Sequence, residues 1–447
     1  MKDFTPKERS ENLKTVMLLL LGMLLFKASL DVSYWVELSK DTVTYSKDFS
    51  LAKYMIGLLW CFILFFGIRH TERKASSFLL YLMFLFQIVP ITTIYSLGND
   101  SSEYYNILCL SFLLCELIVG YVGERDLLIR NLFISRVMCL SFACLACLLL
   151  AVVVVKNGLP SLIALDIYKV YELRRSGSFQ LGKYMNYILT WTTKVFLPTA
   201  IAVCLVKKRY GLAGLCCGGM FLLYLYTGHK IFMFSIPFVL VCTIWAKRKD
   251  FYREIYLLGC AGTATVCALY IRFPDSRSIP QTIYSLFVRR SMFLPANNKF
   301  KHFDYFCNNP KMGIYGIFPR WIVDIKSHYE DIAYTFDISR IYYGQPNMSS
   351  DTGFFAEGFM RFGYLGIFLV LIIFALILRQ VDRFQERTSY VLAVGVFAYQ
   401  VFALGDAQLL GSFVFGPWMI LLFFLLFYKT PEDAKATAIS LNDGTVL

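Results

Sequence analysis

SSDTGFFAEGFMRFGYLGIFLVLIIFALIL, residues 349–378, joins two kinds of sequence in one apolar run. From Phe362 to Leu378 there is no charge, and the length suits a membrane helix. The first half carries Asp351, Glu357 and Arg361, with glycines at 353, 358, 363 and 366. An ionised side chain at the centre of a bilayer costs about 2.5–3.5 kcal/mol or more, so these charges need an address. Read as one helical span over 353–378, Glu357 and Arg361 stand four apart and share a face. Asp351, after Ser349 and Ser350, can cap the helix, and the glycines admit a close neighbour. Two readings follow: a helix–helix seam with an internal ion pair, or a wet outward cleft lined by a carboxylate and a guanidinium. The cleft is preferred.

The rest of the chain agrees with a membrane setting. Of 447 residues, 57% are hydrophobic and 17% charged, and the mean hydropathy is +0.56. Soluble domains carry about 25% charge. The expectation is an all-α polytopic membrane protein, a single integral membrane domain over 1–447. About twelve spans are read, near 15–30, 53–68, 76–97, 104–122, 132–155, 187–206, 210–227, 231–246, 254–271, 353–378, 388–406 and 409–428. The net charge of +13 sits mostly in short clusters between apolar runs, which argues against a nucleic-acid partner. The clusters alternate sides: Arg69/Arg73/Lys74, Lys207/Lys208/Arg209 and Arg379/Arg383/Arg387 fall with the N-terminus, and the acidic GNDSSEY (98–104) falls opposite. Both termini are therefore expected in the cytoplasm. The thirteen cysteines lie almost wholly in apolar runs and imply packing, not a disulfide framework.

Two long loops fall outside, 156–186 and 272–352, and both collect basic residues against the usual trend. The first has five basic and two acidic residues, and the second ten and seven. An anionic ligand is the simplest reason. The pairs Arg174-Arg175 and Arg289-Arg290 suit phosphate oxygens, with lipid headgroups as the bland alternative. Lys194, inside a span, faces a cavity or snorkels. Glu116, also in a span, is a proton-coupling carboxylate or a partner of Arg125 or Arg136. The long loop is patterned as two amphipathic helices on the outer surface, over 279–295 and 319–340. The second puts Arg320, Asp324, His328 and Asp331 near one face, where His328 can serve as a general base; a solvated face is the plainer reading. No HExxH motif and no pair of CxxC motifs is present, so no metal or other cofactor is expected.

With its two basic outside loops, VRRSMFLP (288–295) and DTGFFAEGFMRFGYLGI (351–367), the sequence resembles the Wzy-type polymerases of bacterial surface polysaccharides, in the O-antigen polymerase and ligase group. The resemblance implies a metal-independent GT-C-like glycosyltransferase in the bacterial cytoplasmic membrane. It would join oligosaccharide repeat units carried on undecaprenyl pyrophosphate, at the outer face. Its partners would be those lipid-linked substrates and membrane lipids, with a chain-length regulator and a flippase as candidates. Arg174, Arg175, Lys194, Arg289, Arg290, Arg320 and Arg361 would bind substrate and pyrophosphate. His328, Glu357 or Asp351 would take the acceptor proton. The Arg-x10-Gly loop motif of some of these polymerases is absent, and Asp351 stands near the place of the ligases' histidine. The competing readings are a repeat-unit flippase or other transporter, a GT-C transferase using polyprenyl-phosphate sugars with Asp31 as its carboxylate, and a non-catalytic assembly partner.

Overall fold

The computed structural model describes residues 6–40, 48–70, 73–121, 132–160, 162–165, 170, 179, 181–273, 278–318, 322–330, 333–414 and 416–429. Among them are helices and turns and no strand. Among the described residues eight helices are long and apolar enough to cross a membrane: Asn12–Ser39, Ala75–Leu97, Ser102–Tyr121, Leu132–Asn157, Tyr184–Val206, Tyr210–Thr227, Phe251–Arg272 and Gly353–Arg387. Four shorter apolar helices, Leu51–Gly67, Lys230–Trp245, Tyr390–Ala403 and Pro417–Phe427, stand where the remaining spans are expected. The chain is thus an all-helical, multi-pass membrane protein.

The first helix runs from Pro6 to Lys40, well past the expected end near residue 30. Asp31 therefore does not lie in a loop after the span. It lies inside the helix, ion-paired with Lys27 one turn back. Its carboxylate also accepts from Thr93 at 2.9 Å and from the Tyr54 hydroxyl at 3.1 Å.

Three helices pass through a π-helical stretch: Phe84–Ile88, Thr192–Phe196 and Ser285–Phe293. Each ends two residues before a proline, Pro90, Pro198 or Pro295. Proline has no amide hydrogen and clashes with the carbonyl four residues back. The wider π turn takes up that misfit without ending the helix.

The chain groups into two units. One comprises Met1–Gly123, Asp250–Leu378 and Val401–Leu410, the other Glu124–Lys249, Arg379–Gln400 and Gly411–Leu447. In the first, the helix Pro6–Lys40 lies along Phe251–Arg272, and Leu51–Gly67 packs on Val89–Leu97. The helix Ala75–Leu97 forms its centre: 94% of its most apolar window is buried. In the second unit, Phe142 stacks on Phe196 with ring centroids 4.3 Å apart. The Ser135 hydroxyl ties the chain after Pro417–Phe427, donating to the Lys429 carbonyl at 3.1 Å and accepting from its amide at 3.0 Å.

The long loop departs from expectation in both amphipathic segments. The first does not stop near residue 295. It continues through Pro295 into a helix, Leu294–Asn308, whose Asn297, Asn298, Lys299 and His302 are buried. The second is not a helix over 322–330; it is an irregular strap, and helix appears only at Tyr334–Tyr343. A short helix owes its stability to a buried apolar face, and Ile322 and Val323 are exposed. The strap is pinned instead by Tyr329, whose hydroxyl donates to the Pro310 carbonyl at 2.6 Å. Asp324 and His328 therefore share no helix face, and Arg320 and Asp331 lie outside the described residues.

The helix Gly353–Arg387 is broken. Phe362 and Gly363 leave helical geometry, Gly363 with φ 65° and ψ −150°, a region open in practice to glycine alone. Past the break the backbone packs back on itself: a Cβ on Gly358 would meet the Gly366 carbonyl oxygen at 2.7 Å, and one on Gly366 would collide with Gly358. The charged stretch is thus a separate half-helix, 353–361, and the apolar span begins beyond the turn.

Candidate functional site

The half-helix 353–361 is held at both ends within the first unit. Its leading amides, at Gly353 and Phe354, donate to the carbonyls of Asp406 and Leu404 at 3.0 and 3.2 Å. Its trailing carbonyls, at Met360 and Arg361, accept from the amides of Met312 and Gly313, both at 3.0 Å. These are the groups a helix end leaves orphaned. Supplying them from the surrounding chain is what lets the helix stop inside the protein.

Glu357 and Arg361 face inward from this half-helix. Arg361 Nε donates to Glu357 Oε1 at 2.9 Å, and both side chains are at most 1% exposed. Arg361 Nη1 donates to the carbonyls of Gly313 and Tyr315, at 3.2 and 2.8 Å, and Nη2 to Gln408 Oε1 at 3.2 Å. Glu357 Oε2 accepts the Leu410 amide at 2.9 Å. The pair therefore fastens the half-helix to 313–315 and to 408–410. It does not border water, which is the geometry of the ion-pair reading of this segment.

Beside it lies the buried polar face of Leu294–Asn308. Lys299 is fully buried, and its ammonium donates to Gln87 Oε1, the Pro295 carbonyl and the Gly405 carbonyl at 2.8, 3.0 and 3.0 Å. Burial lowers its pKa to about 8, against the opposing pull of Asp406 and Asp351. His302 is also fully buried, and burial lowers it to about 4, so it is neutral at pH 7. A neutral ring with Nδ1 2.8 Å from the Asn298 carbonyl carries its proton there. Nε2 then accepts from Thr352 Oγ1, at 3.3 Å. Gln408 Nε2 joins the network by donating to Thr352 Oγ1 at 3.3 Å and to the Tyr334 hydroxyl at 2.7 Å. Tyr343 closes it, donating to Asn298 Oδ1 at 2.6 Å.

Asp351 stands out against this network. Its neighbours Ser350 and Thr352 are buried, Ser350 with its amide donating to the Thr335 carbonyl at 3.0 Å. Asp351 between them is exposed, and its charge is felt by Lys299. Two anchored flanks therefore present one carboxylate at the surface of a rigid polar core.

The other candidates are dispersed. His328 is exposed on the strap, its ring 5.2 Å from that of Tyr329. Arg289 is half-buried and Arg290 exposed, both in the π-helical stretch before Pro295. Lys194 is half-buried in a π-helical stretch of the second unit, and its carbonyl accepts from Gln400. Arg174 and Arg175 lie outside the described residues. Sequence reasoning passed over Lys299, His302, Thr352, Gln408 and Gln87. For the first two a signal existed: NNKFKH (297–302) puts Asn298 and His302 one helical turn apart, directly after an apolar stripe. No protein-family model, curated protein or solved structure matches the chain.

Proposed function

We propose that this protein is a membrane glycosyltransferase that polymerises oligosaccharide repeat units carried on undecaprenyl pyrophosphate. On this reading all twelve apolar helices span a bacterial cytoplasmic membrane in a GT-C-like arrangement, with both termini inside. The loops 156–186 and 272–352 then face outward, where their excess of Arg and Lys gathers the pyrophosphate. The acceptor sugar hydroxyl attacks the anomeric carbon of the growing chain. The bond from that carbon to the pyrophosphate breaks, and undecaprenyl pyrophosphate leaves with the electron pair.

The observation that carries the reading is the presentation of Asp351: an exposed carboxylate held by buried flanks beside the buried cation Lys299. A general base must be accessible to the hydroxyl and fixed in place. Asp351 meets both needs. Glu357 is spent on Arg361 and the Leu410 amide, and His328 lies on the irregular strap and not in a helix. We therefore place the proton on Asp351, with Arg361 and Glu357 as positioning residues and Arg289 and Arg290 toward the leaving group.

Activity in membranes separates these roles. Asp351→Asn is expected to reduce polymerisation by about a hundredfold or more with normal insertion. Arg290→Lys is expected to fail to restore what Arg290→Ala loses, because an ammonium lacks the planar fork. Addition of EDTA is expected to leave turnover unchanged. Full activity of Asp351→Asn excludes it as the base, and full activity of Arg290→Lys excludes bidentate recognition there.

A further inference from the structure

Glu116 lies within Ser102–Tyr121, in the first unit and away from the polar network above. It is 3% exposed, and neither carboxylate oxygen has a hydrogen-bond partner among the described residues. Its place is made by Gly67, where any side chain would collide with Oε2. The carboxyl group borders a small cavity also lined by Arg69, Lys74, Ser76 and Ser77. Arg69 is turned elsewhere, donating to the Gly120 carbonyl with its guanidinium over the Tyr121 ring at 5.2 Å. Tyr81 lies within electrostatic reach of Glu116, and its hydroxyl is 3.3 Å from His70 Nε2. His70 Nδ1 and the hydroxyls of Tyr252 and Tyr256 are likewise buried without partners, and both tyrosine rings pack on Tyr81. On its own helix Cys109 and Cys115 lie within electrostatic reach of Glu116.

A buried ionised carboxylate with no donor among the described residues is far costlier than the neutral acid; Arg125, one of its two expected partners, lies outside those residues. Cations at the same cavity offer the ionised form a partner once Arg69 turns toward it. We propose that Glu116 is a proton-binding site, a carboxyl group that holds a proton when Arg69 caps Gly120 and releases it when Arg69 and Lys74 turn to it. Its ligand is the proton itself, exchanged through the cavity at the ends of Leu51–Gly67 and Ser102–Tyr121. The site does not depend on the transferase reading, and a failure of either leaves the other standing.

A hydrophobic carbodiimide tests it, since it adds across a protonated carboxyl group in an apolar site and rearranges to a stable N-acylurea without a leaving group. The full chain in lipid nanodiscs is treated with dicyclohexylcarbodiimide between about pH 6 and pH 9, and the label is located by peptide mass spectrometry. Label at Glu116 that declines as pH rises, and is absent in Glu116→Gln, is the expected result. In Arg69→Ala the decline is expected to move up by about one pH unit or more, a tenfold gain in proton affinity. No label at Glu116 at any pH overturns the proposal. So does a label that does not vary with pH, or a decline that Arg69→Ala leaves in place.

Discussion

Gly363→Ala and Gly366→Ala are each expected to destabilise the protein by about 1–3 kcal/mol. The two act differently. At Gly363 the backbone sits at φ 65°, ψ −150°, where a Cβ meets its own chain. At Gly366 a Cβ would strike the backbone of Gly358, and backbone cannot rotate aside as a side chain would. Either substitution forces the half-helix 353–361 away from the apolar span. That breaks the amide contacts from Met312 and Gly313 and moves Asp351 with them. Gly262→Ala is the control: it lies in Phe251–Arg272 with open space around a new Cβ, and is expected to be neutral or to stabilise by about 0.5–1 kcal/mol. Thermal unfolding in detergent measures all three. Equal tolerance of Gly363→Ala and Gly262→Ala would refute the break.

The second large effect belongs to the buried ion pair. Glu357→Ala leaves the Arg361 guanidinium in a water-free site without its counter-charge, at a cost of about 3–5 kcal/mol. Arg361→Ala costs a similar amount, because it strands the carboxylate and the carbonyls of Gly313 and Tyr315. Once both are gone no buried charge is left unpaired. The double variant is therefore expected to be more stable than the sum of the singles, by about 1–3 kcal/mol. A double-mutant cycle in unfolding free energy reads this directly, and strict additivity would show that the pair does not bind the half-helix to its surroundings.

These two regions also mark how far the sequence could be read. The apolar runs are long and almost free of charge, so helices stand at every place expected of a span, and the four-residue spacing of Glu357 and Arg361 made their pairing legible. The break at Gly363 was not legible, because Gly358, Gly363 and Gly366 suit a packing seam as well as a turn. The π-helical stretches carry a signal, a proline inside an otherwise helical run, but proline alone does not say whether a helix kinks, widens or stops. The segment 319–340 has a helical hydrophobic pattern, yet pattern selects a helix only where something covers its apolar face, and Ile322 and Val323 are exposed. Lys299 and His302 were hidden for the opposite reason. Charged and polar residues in a loop-length segment look solvated until their partners are brought in from elsewhere in the chain: Gln87 and Gly405, which accept from Lys299, and Thr352, which donates to His302.

The transferase reading meets its most direct trial in proteoliposomes containing the purified chain and lipid-linked repeat units extracted from the host's own membranes. Products are resolved by gel electrophoresis with and without Asp351→Asn. The expected result is a ladder of lengthening saccharides on the lipid carrier, lost in the variant and indifferent to EDTA. Repeat units that cross the bilayer and stay unjoined would contradict it and mark the protein as a transporter.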